Sequence, residues 1–185
     1  QAISTTNLDA LGTTNLAALT TGQVAKLTTT QVGGLDTTTL GNLETTDLAA
    51  LTSTQVQAIS TTTLNALGTT ALQALTTGQF AGMSTTQVAG LTTTTLGNLE
   101  TTDLAALTTS QIQQISTTGI NNLGTTALQA LTSAQFAGMT TTQVGGLTTT
   151  TLDAMETRDI AALTSTQVQA ISTTNLDALG TTNLA

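Results

Sequence analysis

The sequence predicts an all-α solenoid, a superhelix of short capped helices with one helix per eight-residue repeat. Three observations lead there. An octad runs in unbroken register through all 185 residues, as in TTTTLGNL (92–99), ETTDLAAL (100–107) and TTSQIQQI (108–115). Two of its positions are always apolar. Its first half has the residue types of a helix N-terminus and its second half those of a helix interior.

Numbering the octad from Glu100, position eight is apolar throughout (Ile3, Leu11, Leu19, Met83, Ile115, Met155, Leu179), and so is position five (Leu8, Leu16, Val24, Phe80, Ile112, Phe136, Leu184). Position one is Ser, Gly, Thr, Asp or Glu, residues that mostly suit an N-cap. Position four, three residues later, is often Gln or Asp, as in Thr28–Gln31 and Thr52–Gln55. That is the capping-box spacing, and the apolar residues at the preceding position eight and at position five stand where a hydrophobic staple needs them. Position two is always Thr or Ser, position three nearly always, and position seven is usually Ala or Gly. Each octad therefore reads as about two helical turns, seven residues spanning roughly 10 Å. Helices this short do not stand alone in water, so their stability must come from stacking.

A β-solenoid is the alternative, because Thr favours strands. Against it, positions five and eight differ by an odd number and would face opposite sides of a strand. A continuous helix is disfavoured as well. Its apolar spacing should average about 3.6 residues, whereas alternating steps of three and five wrap the stripe around the axis.

A longer period overlies the octad. QAIS at 1–4 returns at 57–60 and 169–172, with QQIS at 113–116; ETTDLAAL at 44–51 returns at 100–107 and as ETRDIAAL at 156–163. The expected organisation is one continuous array over residues 1–185, about 23 octads, built on a 56-residue super-repeat of seven octads. The reading for this second period is duplication of a seven-octad block, or a spiral that returns to one face after two turns. The chain begins and stops in mid-octad, which leads us to expect a segment of a longer chain.

Composition narrows the function. Charged residues make up 6% of the chain, the net charge is −8, and Cys, His, Trp, Tyr and Pro are absent. An acidic chain lacks the basic footprint of a nucleic-acid binder, and no apolar run is long enough to span a membrane. No constellation of nucleophile, base and orienting group is visible, so no enzyme and no cofactor are expected. The recurring carboxylate pairs Glu44/Asp47, Glu100/Asp103 and Glu156/Asp159 are weak Ca²⁺ candidates, a thin set for a cation that takes six to eight oxygens. The favoured reading is favourable charge at helix N-termini. Phe80 and Phe136, beside Met83 and Met139, are read as locally enlarged core, with docking of a neighbouring chain as the alternative. The Thr-rich first half reads as caps and solvated first turns. Acceptance of O-linked glycans and an ice-ordering Thr face are further readings.

Runs such as LTTTQVGGL (27–35), LTSTQVQAI (51–59) and LTTSQIQQI (107–115) resemble the LTTxQ-type octapeptide arrays of large bacterial surface and secreted proteins described as adhesin- or haemagglutinin-like. The resemblance covers the whole chain. It implies an extracellular or cell-surface bacterial protein acting as fibre or filament, or as the spacer of an adhesin, and it brings no catalytic residues. Scarce charge, which leaves little repulsion between chains, adds self-association into a polymer as the expected partnership.

Overall fold

A computed structural model describes Leu8, Asn15 and residues 18–178. The octads read in 1–17 and 179–185 otherwise lie outside the described residues. Among the described residues there are twenty short helices and no strand, one helix per octad in the expected register, and the fold is an all-α solenoid. The chain divides into two compact units, Gln1–Leu91 and Thr92–Ala185. The first holds α1 (Thr21–Val24) to α9 (Thr85–Ala89), the second α10 (Thr93–Gly97) to α20 (Thr173–Ala178).

Local chemistry sets each helix. Position one is the N-cap in extended conformation, as at Thr52 (φ −73°, ψ 155°) and Thr140 (φ −72°, ψ 155°). Wherever position four is Gln among the described octads, the capping box is complete. Thr52 N–H donates to Gln55 Oε1 at 2.6 Å and Gln55 N–H donates to Thr52 Oγ1 at 3.2 Å. The helices are four to six residues long rather than the expected seven. In six-residue helices position eight is already extended, as at Leu51 (φ −61°, ψ 140°) and Ile59 (φ −70°, ψ 132°), and this ends the helix before the next cap.

Packing follows a fixed step. In the first unit the helix Thr29–Gly33 packs on Ser53–Ala58, and Thr45–Ala50 on Thr69–Gln73. In the second, Thr109–Ile112 packs on Ser133–Gly138, and Thr141–Gly145 on Ser165–Ala170. Each pair lies three octads apart. Positions five and eight line the interior, as Val56, Ile59, Leu64 and Leu72 do in the first unit and Ile112, Ile115, Val144 and Leu147 in the second.

The small residues at position seven have a steric cause. A Cβ built on Gly90 would meet the Thr61 methyl at 2.7 Å, and one on Gly146 would meet Thr117 Cγ2 at 2.7 Å. Position two of one octad thus presses against position seven of the third octad on. Position six is tight at two glycines 112 residues apart: a Cβ on Gly33 would lie 2.7 Å from Ala58 O, and one on Gly145 2.7 Å from Ala170 O. Gly41 and Gly97, at position six of another type, meet nothing within 4 Å.

Replacing Gly145 with Ala pushes a methyl into backbone and is expected to cost about 1–3 kcal/mol. Gly41→Ala, in open space within a helix, is expected to stabilise by up to ~1 kcal/mol. Urea denaturation followed by far-UV circular dichroism checks both signs.

Candidate functional site: a buried amide ladder and its acidic breaks

The chemistry of the array is concentrated at position four. Its side chain points inward: Gln55, Gln79 and Gln87 in the first unit and Gln135, Gln143 and Gln167 in the second are all buried. Each Gln has two ends with two tasks. Oε1 closes the capping box of its own helix. Nε2 reaches the octad four earlier and donates to the carbonyls at its positions five and eight. Gln79 Nε2 lies 2.8 Å from Leu48 O and 2.6 Å from Leu51 O, and Gln87 Nε2 lies 2.9 Å from Val56 O and 2.8 Å from Ile59 O. In the second unit Gln143 Nε2 is 2.8 Å from both Ile112 O and Ile115 O, and Gln167 Nε2 is 3.0 Å from Phe136 O and 2.7 Å from Met139 O. The position-five carbonyl also accepts from its own octad's position-eight amide, as Val56 O does from Ile59 N–H at 3.1 Å, whereas the position-eight carbonyl is a C-terminal group that a short helix cannot pair within itself. Burial makes leaving it without a donor costly.

Asn175 performs the same task with a shorter arm. Its Nδ2 donates to Leu147 O at 2.9 Å, the position-eight carbonyl alone. A second, more exposed ladder runs the other way from position six: Asn65 Nδ2 donates to Gly90 O at 2.8 Å, and Gln113 Nε2 to Gly138 O at 2.7 Å. Within each unit, then, a helix packs three octads along the chain and bonds four octads along it, so one turn takes between three and four octads.

The three carboxylate pairs occupy the octads where the buried ladder changes character. They do not converge as cation cages. Glu44 and Glu100 are exposed, Glu156 is half-exposed, and all three serve as N-caps without a side-chain capping bond. Asp47, Asp103 and Asp159, at position four, are 2%, 2% and 0% exposed. Among the described residues, no group of three or more Asp, Glu, His or Cys side chains is arranged to hold a metal ion. Each buried Asp instead has one oxygen, Oδ2, without a hydrogen-bond partner. Burial raises the Asp47 carboxyl above its usual value, with the nearby Glu44 charge adding to the effect. The same two causes, burial first and then Glu100, push Asp103 up to about 6, against a smaller opposing pull from the Glu100 amide. The third copy differs. Ser133 Oγ donates to Asp159 Oδ1 at 2.8 Å, and Arg158 Nε lies 2.8 Å from Glu156 Oε2 and 3.6 Å from Asp159 Oδ1.

Phe80 and Phe136 are fully buried, and Met83 and Met139 are each 4% exposed. They enlarge the core at positions five and eight, and chain docking through these four side chains is therefore not what their placement offers. Position three, by contrast, is exposed in every described octad, so Thr30, Thr62, Thr94 and Thr126 present their side chains to solvent.

The ALTTAQ repeat matches this sequence at residues 1–37, 40–77, 61–93, 120–149 and 152–185. The chain belongs to the ALTTAQ repeat family. No curated protein matches it. The ALTTAQ segment appears here as ALTTGQ at 74–79 and ALTSAQ at 130–135. It spans position seven of one octad to position four of the next: the small packing residue, the core Leu, the capping Thr and the ladder Gln.

Sequence reasoning read position four of these ALTTAQ octads as a cap partner and missed its inter-turn bond. The available signal was the company it keeps. Thr39, Ala71, Thr95, Gly119 and Thr151 share that position, and small residues alternating with one amide mark a confined place. Gln143→Ala is expected to cost about 2–4 kcal/mol, since it strands the buried Ile115 carbonyl and takes a second donor from Ile112 O as well as losing the capping box. Thr140→Ala, which removes the cap alone, should cost about 1 kcal/mol. Comparing the two variants by chemical denaturation tests whether the inter-turn bond outweighs the cap.

Proposed function

We propose that the chain is a structural repeat protein that forms, or belongs to, an extracellular bacterial filament or fibre. The observation that carries this reading is that an octad's core and its C-terminal carbonyls are completed by octads three and four away along the chain. Such stacking has no intrinsic stopping length, which is the property of an extended support rather than of a closed binding domain. The extracellular, bacterial placement rests on the resemblance to surface and secreted octapeptide arrays. The exposed Thr side chains at position three suit solvation and are acceptors for O-linked glycans.

The resemblance also supports a second role, the spacer of a surface adhesin that holds a ligand-binding domain away from the cell. Electron microscopy of the purified native material separates the two. Uniform filaments longer than one chain can reach are the expected result. Isolated rods of single-chain length would replace the filament with the spacer. Intact-mass measurement of the same material would register glycans as additions in hexose-sized steps.

A further inference from the structure

The helix Thr149–Ala154 in the second unit lacks the glutamine that closes a capping box. In the helix before it, Thr141–Gly145, the N-cap amide of Thr140 donates to Gln143 Oε1 of its own octad at 2.8 Å. The corresponding residue in Thr149–Ala154 is Thr151, whose side chain is shorter. Thr148 Oγ1 still accepts from Thr151 N–H at 3.2 Å, but the Thr148 amide needs an acceptor from elsewhere. It finds one on another turn, at position six of the octad four earlier. Asn121 Oδ1 accepts from Thr148 N–H at 3.1 Å and from Thr151 Oγ1 at 2.8 Å, while Asn121 Nδ2 donates to Gly146 O at 3.0 Å. The orientation of this amide is fixed, because Thr148 N–H can only donate and Gly146 O can only accept.

We propose that Asn121 is an inter-turn latch: it supplies in trans the cap acceptor that Gln supplies in cis, so the helix Thr149–Ala154 keeps its N-terminus closed only while the octad 116–123 is docked. A cis-capped helix such as Thr141–Gly145 carries both halves of its box within one octad and keeps them if a neighbouring turn moves away. In the same event Thr149–Ala154 loses the acceptor of its N-cap amide and the bond of its Thr151 hydroxyl together. Local opening of 116–123 therefore spreads to 148–155, and the latch makes the two octads one cooperative unit.

The surroundings leave room for either capping scheme. A cleft of about 60 Å³ borders Thr151, Asn121, Ile120, Gly124 and Leu128. It lies on the side of Thr151 that faces octad 116–123, the direction in which Gln143 reaches Ile112 and Ile115 four octads before its own. A longer side chain at position 151 has space there, so a cis box can be built where the trans cap now stands.

The test is a double-mutant cycle on the full chain, with N121A, T151Q and N121A/T151Q followed by urea denaturation and by hydrogen exchange. N121A is expected to lower the folding constant about 5- to 30-fold, the loss of a cap acceptor and of a part-buried inter-turn bond. It should also raise exchange in residues 148–155 well above that in 140–147. T151Q is expected to raise the folding constant of N121A at least about threefold more than that of the unaltered chain, since only in N121A does the Thr148 amide lack its acceptor. Equal effects of T151Q in the two backgrounds overturn the proposal. So does exchange that N121A leaves unchanged in 148–155 or raises equally in 140–147. Should N121A fail to fold, N121A/T151Q must fold, and its failure to do so overturns the latch as well.

Discussion

The constraint on which this structure rests is the carbonyl end of a very short helix. A helix leaves its last four C=O groups without intrahelical partners. In helices of four to six residues, that is most of the carbonyls present. Because positions five and eight are the core, these groups sit where water does not reach easily. The array meets the demand with one side chain that serves two helices. Gln143 closes the N-terminus of its own octad through Oε1 and the C-terminus of another through Nε2. The repeat can be as short as eight residues because caps are shared in this way, and each shared cap ties one turn to the next.

Much of this was legible in the residues. The N-cap at position one, the Thr–Gln capping box, the core at five and eight and the one-helix-per-octad register all follow from local rules that need no tertiary knowledge. What could not be read is what happens between turns. The far end of Gln79 finds Leu48 and Leu51, a pairing fixed by the number of octads per turn, which local rules leave open. The early stop of the helices was not in the local rules either: Leu51 and Ile59 at position eight are extended. The acidic pairs do stand at helix N-termini, as read, but Glu and Asp were weighed together. Burial of position four separates them, turning Asp103 inward while Glu100 stays outside.

Octads that look interchangeable are not. Gly33 and Gly145 sit at position six because the backbone of Ala58 and of Ala170 passes within reach of any side chain there, whereas Gly41 at the same position has room. Gly124 caps its helix at φ 76°, a conformation open to Gly. Its counterpart Gly68, 56 residues earlier, caps at φ −65°. The longer period thus distributes distinct steric tasks among octads that share one capping scheme.

Steps of three and four octads have an arithmetic consequence. The 52–59 octad bonds to 20–27 through Gln55 and presses on 76–83 through Ser53. Those two neighbours stand 56 residues apart and are copies of one another. The 140–147 octad likewise lies between 108–115 and 164–171, again a matched pair. Seven is three plus four, so an octad joined by both steps meets the same type on both flanks. A gene encoding such an array can gain or lose whole 56-residue blocks by unequal recombination without presenting any helix to an unfamiliar neighbour. A slip of a single octad would set the wrong glycine against the wrong threonine. Length in this protein is therefore heritable in quanta, and evolution can lengthen or shorten the array without redesigning its interior.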